Sequence, residues 1–206
     1  MARGKVYNFK RLAVFFGLLG AAGPLGCALI EGESTDTCVA AFTSESNVQD
    51  VALNSNALFG SELAQSFVAT ITAQVTTVSV KLTQNGTLGS NDLITLSLQG
   101  DSSGNPSGTD LASSEVLVRT MGSTARLVTF TLGSAVSLTQ GTTYWIRLSP
   151  SYGTSAANHV KWSAQDGSDS GFSTYDDGVL KQSTTGGGWG SGDFGTKRDA
   201  IFRVGC

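Results

Sequence analysis

The chain predicts an all-β protein, an antiparallel β-sandwich of about nine to eleven strands, and three observations carry that prediction. Apolar and polar residues alternate in short blocks. Turn sequences rich in Gly, Asn and Asp separate those blocks. No stretch shows the 3.6-residue apolar period of an amphipathic helix. Composition agrees: only 14% of the 206 residues are charged, against roughly 25% in an average soluble domain. Gly, Ser and Thr fill the difference, and β-branched Thr and Val suit a pleated surface. Apolar residues reach 40%, and their alternation separates this chain from a disordered one of similar composition.

The stretch 136–148 sets the pattern. Val136 and Leu138 alternate with polar residues, Gln140-Gly141 makes a turn, and Tyr144, Ile146 and Leu148 then alternate with Trp145 and Arg147. Successive side chains on a strand point to opposite faces, so the stretch reads as strand end, turn and strand in a half-buried antiparallel ladder. One face must then accommodate Trp145.

In chain order, residues 38–42 form the first strand, and 45–53 read as a loop ending in a strand. Residues 63–71 and 75–82 are strands, the second with Val78, Val80 and Leu82 on one face. Asn85-Gly86 reads as a hairpin-like turn. Residues 92–98 alternate through Ile94, Leu96 and Leu98, and 100–108 read as a loop by composition. Strands follow at 111–118, at 125–132 and around Tyr144, and a shorter one begins at Val160. Residues 165–171 read as a loop, Asp176-Asp177-Gly178 as a turn, 184–194 as a Gly-rich segment around Trp189, and 201–204 as the closing strand.

At the N-terminus, Arg3, Lys5, Lys10 and Arg11 precede an apolar run of 15 residues, 12–26. A basic region followed by a short apolar one is the pattern of a secretory signal, and the run falls short of the ~20 residues that span a bilayer. The run ends Pro24-Leu25-Gly26-Cys27, which resembles the lipobox of bacterial lipoproteins. That resemblance implies acylation of Cys27 and a membrane attachment through lipid; an ordinary cleavage near Gly26 or Ala28 would instead leave a secreted protein. The expected organisation is a signal peptide (1–26), a lipidated tether (27–37) and a β-sandwich domain (38–206). Removing the four basic residues of 1–26 leaves nine basic against sixteen acidic residues, a net charge of −7. Such a surface repels phosphate backbones and excludes nucleic acid as a partner.

The three cysteines are Cys27, Cys38 and Cys206, an odd number that calls for an explanation in an exported protein. Acylation of Cys27 would leave Cys38 and Cys206 as a pair flanking the first and last strands. Chain ends of domains often lie close together, so a Cys38–Cys206 disulfide is expected. Intermolecular bonding through Cys27 or Cys206, giving covalent oligomers, is the alternative.

Several blocks occur in a familiar order: Ala64-Gln-Ser-Phe67, Val78-Ser-Val-Lys-Leu82, Gly104-Asn-Pro-Ser-Gly108 with Leu111-Ala-Ser113, Val128-Thr-Phe130, Val136 to Trp145, Trp189 and Asp199-Ala-Ile-Phe202. Across roughly residues 60–206 they resemble a bacterial and phage extracellular jelly-roll module, similar in build to carbohydrate-binding modules. The resemblance implies an antiparallel jelly-roll β-sandwich in an extracellular setting. It implies no ligand, because one fold hosts many functions.

Catalytic chemistry finds little support. His159 is the single histidine, whereas a nucleophile needs a base beside it and a third group to orient that base. No catalytic residue is expected, and His159 reads as a loop or strand-edge residue. Zinc would need more His or Cys ligands than the chain offers. Calcium could find hard oxygen ligands in Asp166, Asp169, Asp176 and Asp177, although Asp-Gly and Asp-Asp-Gly are equally ordinary turn sequences. Trp162, Tyr175 and Trp189 fall in the loop-rich last third, with Tyr152 nearby. Exposed rings of this kind stack on the apolar faces of sugars, and loops on a rigid β scaffold are where such sites form. The same tryptophans could instead fill the core or cover its end.

Two functions follow. One is an exported, surface-anchored, non-catalytic binding or adhesion module with glycans as a ligand class. The other is a structural subunit of an extracellular filament or surface layer, a homo-oligomer assembled by strand addition through residues 28–60 if their strand is not used in its own sandwich. An accessory domain working beside a separate hydrolase is a third.

Overall fold

The computed structural model describes residues 38–43, 48–53, 62–153, 155, 157–166, 175–183, 188–190 and 198–206. The segment holding the expected signal peptide, Cys27 and the tether lies outside them, as does Asp169. The described residues form thirteen strands: β1 Ala40–Phe42, β2 Val48–Leu53, β3 Leu63–Val68, β4 Ala73–Asn85, β5 Leu93–Ser102, β6 Asn105–Leu117, β7 Arg126–Leu138, β8 Thr143–Pro150, β9 His159–Asp166, β10 Leu180–Ser183, β11 Trp189–Gly190, β12 Arg198–Ala200 and β13 Phe202–Val204. Among the described residues a single 3-10 turn, Val118–Thr120, follows β6.

The strands make two antiparallel sheets. The seven-stranded sheet runs β1-β13-β4-β9-β12, with β7 on the free side of β4 and β2 on β9. The six-stranded sheet runs β11-β10-β3-β8-β5-β6. The expected all-β sandwich is therefore what the chain forms, with the shortest strands lifting the number above the expected range.

Alternation builds the core as the sequence pattern requires. Val78, Val80 and Leu82 of β4 face Leu96, Leu98, Ile146 and their neighbours, and all of these are inaccessible to solvent. On β4, Val75 is three residues before Val78, which would place the two on opposite faces. A register shift between Val75 and Thr77 restores both to the core. β13 and β1 pair as Ala40↔Val204 and Phe42↔Phe202. Continuing that register outward brings Cys38 opposite Cys206, and the two are joined by a disulfide with Cα atoms 4.4 Å apart. The expected bridge between first and last strands is thus present.

Three local expectations are corrected. The stretch 136–148 is not one ladder: β7 pairs with β4 in the seven-stranded sheet, and β8 pairs with β3 and β5 in the other. The turn at Gln140-Gly141 carries the chain from one sheet to the other, braced by Gly141 N–H on Ala69 O (2.8 Å) and Thr139 N–H on the Tyr144 hydroxyl (3.0 Å). Likewise Asn85-Gly86 makes no hairpin, because β5 lies in the opposite sheet from β4. Conversely, residues 100–108 are mostly strand. β5 and β6 meet in a two-residue turn at Ser103-Gly104, with φ of 53° and 76°, the conformation of a type I′ hairpin.

Candidate functional site

The outer face of the six-stranded sheet is polar. Opposite the core-facing Tyr144, Ile146 and Leu148, β8 turns Trp145, Arg147 and Ser149 outward, and the pairing places Ala64 beside Arg147 and Ser66 beside Trp145. On the other flank, Ser97 lies beside Arg147 and Gln99 beside Trp145. The arginine is committed. Its Nε donates to Glu62 Oε2 at 3.1 Å and its Nη2 to Glu62 Oε1, a two-pronged pairing of guanidinium and carboxylate. Ser149 Oγ donates to the same carboxylate at 3.1 Å. Gln99 is fully buried and equally tied: its amide donates to Asp110 Oδ1 at 2.7 Å, and its carbonyl accepts Gly108 N–H at 3.0 Å.

Glu62, Gln99, Gly108, Arg147 and Trp189 together line an open cleft of about 210 Å³. Trp189 reaches it from β11, whose pairing with Ser183 puts the indole on the outward face. The cleft is thus an aromatic wall beside a floor whose polar groups are hydrogen-bonded to one another. That arrangement can stack a planar apolar face and bond its hydroxyl edge.

The other expected ligand residues lie elsewhere. Trp162 is fully buried between the sheets, and its indole N–H donates to Ile201 O at 2.9 Å. Of the two readings of this residue, the core one holds, and its expected place at a ligand surface is corrected: β9 alternates so that Val160, Trp162 and Ala164 face inward together. Tyr175 is half-buried, packing edge-on against Phe202 (5.4 Å between centroids) and tilted against Phe42 (5.9 Å). Tyr152 leans on the core. Burial pushes its hydroxyl up to about 12; the Val160 amide opposes that and the Asp92 charge adds to it. These rings do not converge, and Trp189 alone of the four stands in the cleft.

Asp176 and Asp177 are exposed residues of a turn closed by Gly178 N–H on Tyr175 O (3.2 Å), and the side chain of Asp166 lies outside the described residues. Among the described residues, no three His, Cys, Asp or Glu side chains are grouped to hold a metal ion. His159, the first residue of β9, is buried; its Nδ1 faces Ser155 O at 3.0 Å and, since a carbonyl only accepts, carries the proton.

Sequence reasoning missed Glu62 and Gln99 as cleft residues, and also a buried carboxylate. Asp199 accepts Gln65 Nε2–H at 3.0 Å and Tyr175 N–H at 3.1 Å. Burial pushes it up to about 6, the Gln65 and Tyr175 hydrogen bonds pull it down, and the Asp176 charge adds to the rise. Only the outward phase shared by Trp145 and Arg147 was visible in the sequence as a pointer to this face.

No family model matches the chain, and no curated protein matches it. What is established is a two-sheet antiparallel β-sandwich carrying a polar cleft with one aromatic wall on its six-stranded face.

Proposed function

We propose that this chain is an exported, surface-anchored, non-catalytic binding module of jelly-roll type whose ligand is a glycan seated in the cleft beside Trp189. The observation that carries the reading is the pairing of an outward tryptophan with the fixed Arg147–Glu62 group in a cavity of about 210 Å³. Drug-sized sites run from roughly 300 to 1,000 Å³, so the cavity suits one sugar ring. The face carries Glu62, Asp101, Asp110 and Glu115 against Arg147 and Lys181, which favours a neutral sugar over a sulfated or uronic one. Export through residues 1–26, acylation of Cys27 and attachment at a bacterial cell surface or outer membrane belong to the same proposal. An intact-mass measurement of exported protein reads the acyl group directly.

Titration with a broad panel of neutral glycans, followed by tryptophan fluorescence, tests the ligand. Binding that disappears in Trp189→Ala while the melting temperature holds is the expected result. A panel with no binder, or a Trp189→Ala protein that binds as the parent does, sinks the reading.

A second reading is a subunit of a filament or surface layer. It is favoured by β6, thirteen residues long, which pairs with β5 alone among the described residues. A long one-sided edge can accept a strand from a neighbour, although the expected donor is corrected for β1 and β2, which pair with β13 and β9 of their own chain. Regular fibres in electron micrographs of the mature protein would select this reading, and a monodisperse monomer the first.

A further inference from the structure

The far arm of the β5–β6 hairpin leaves the plane of its sheet. β5 and β10 are separated by β8 and β3, three strand spacings or about 14 Å. Yet the Lys181 ammonium on β10 donates to Gly104 O and, at 2.8 Å, to Asn105 Oδ1, both at the hairpin's turn. One lysine cannot bridge that separation, so the arm leans back over β8 and β3. The pairing irregularities between Leu98 and Asp101 lie at its root, and bulges of this kind bend a strand.

Beneath the arm sits Trp145. It points outward, yet only 1% of it is exposed. Its indole N–H donates to Asp101 Oδ1 at 2.8 Å, and the Lys181 ammonium stands 5.5 Å from its ring centroid. Its outward neighbours on the flanking strands, Ser66 and Gln99, are polar. A large ring on the solvent side of a sheet, in contact with the arm through Asp101 and with the Lys181 ammonium, stays covered only while the arm lies over it. Lys181 makes three of the closing contacts, two hydrogen bonds to the turn and the cation–π contact to the ring, and the Asp101–Trp145 hydrogen bond is the fourth.

We propose that Lys181 is the positioning residue of the cleft, latching the arm whose Gly108 forms one wall and so deciding whether Trp145 is covered. The ligand in this inference rests on the glycan reading above; the latch does not. Latched, the cleft ends at the arm and takes a terminal sugar. Released, Trp145 adds a second stacking face, and the site accepts a longer saccharide. Arginine keeps the charge, the donors and the affinity for an indole face, so Lys181→Arg preserves the latch and Lys181→Ala opens it.

Acrylamide quenching in a Trp189→Phe background reads the latch without any ligand, because Trp145 and Trp162 are both covered in the latched protein. Lys181→Ala is expected to raise the quenching constant severalfold with little change in melting temperature, and Lys181→Arg to leave it at the parent value. Equal quenching in the Lys181→Ala and parent proteins overturns the latch. With Trp189 present, Lys181→Ala is expected to tighten a glucose hexasaccharide by about two- to tenfold, the worth of one added aromatic contact, and a disaccharide by less. Increased quenching with no such length dependence overturns the second stacking face. Increased quenching with no saccharide bound by any form supports the latch and sinks the glycan reading instead.

Discussion

Asp199 is the residue whose chemistry most depends on its surroundings. Its two oxygens have separate partners: one accepts from Gln65 of β3, the other from the backbone of Tyr175, while Gln65 Oε1 accepts Ala200 N–H at 2.8 Å. A carboxylate this deeply buried is costly to ionise, and burial raises it from 3.8 to about 6. Below about pH 4 the group is protonated in both folded and unfolded chains. Between about 4 and 6 the folded chain binds the proton more tightly, so stability is lost as pH rises through this window, and the loss is complete above it. Urea unfolding of the parent and of Asp199→Asn should therefore diverge with pH. The parent loses on the order of a few kcal/mol relative to the variant between pH 4 and 7. A difference that stays constant, or grows in the other direction, refutes the assignment. Residue identity alone did not reveal this. Asp199 stood in a closing strand block, and only Gln65, 134 positions away, shows that it is inside. The same holds for the tryptophans: Trp162 and Trp189 look alike in the sequence, and strand phase puts one in the core and the other at the cleft.

At the scale of elements, the periodic signal was sound and the connections were not. Alternation tells which face of a strand is buried, and it is the same whether the next strand pairs alongside or crosses to the facing sheet. That is why 136–148 and Asn85-Gly86 read as ladder and hairpin although both are crossings. It is also why 100–108 read as a loop: a type I′ turn uses the Gly, Ser and Asn that loops use. The crossings leave a mark on their glycines. A Cβ on Gly86 (φ 73°) would stand 2.1 Å from Ala157 O, a backbone atom anchored by Asn85 Nδ2–H at 2.9 Å. Gly141 has a similar φ of 76° with nothing within 4 Å. Gly141→Ala should therefore lose only about 1 kcal/mol, the cost of the left-handed backbone. Gly86→Ala should lose at least about 2–3 kcal/mol, since strain and the carbonyl clash add. Equal midpoints for the two variants in chemical denaturation would show that the turn yields.

Over the whole molecule, the disulfide joins residues 168 positions apart through strands that are already paired. Its effect is expected mainly in the unfolded chain, whose ends it ties, at about 3–5 kcal/mol. A Cys38→Ser/Cys206→Ser protein should keep its sheet dichroism and melt well below the parent. A melting temperature within a degree or two of the parent would show that the unfolded chain gains little freedom from losing the bridge.

The sequence by itself determined which apolar side chains of a clearly alternating strand share a face, and that Cys38 and Cys206 flank the first and last strands. Those are consequences of period and position along one chain. Only the tertiary structure decided which strands became neighbours, and with them the cleft. Glu62, Gln99, Arg147 and Trp189 come from four separate strand regions, and no local pattern encodes their distances. Their meeting depends on the order of strands in the six-stranded sheet and on a hairpin arm bent across it, and both are fixed by packing between segments remote in sequence.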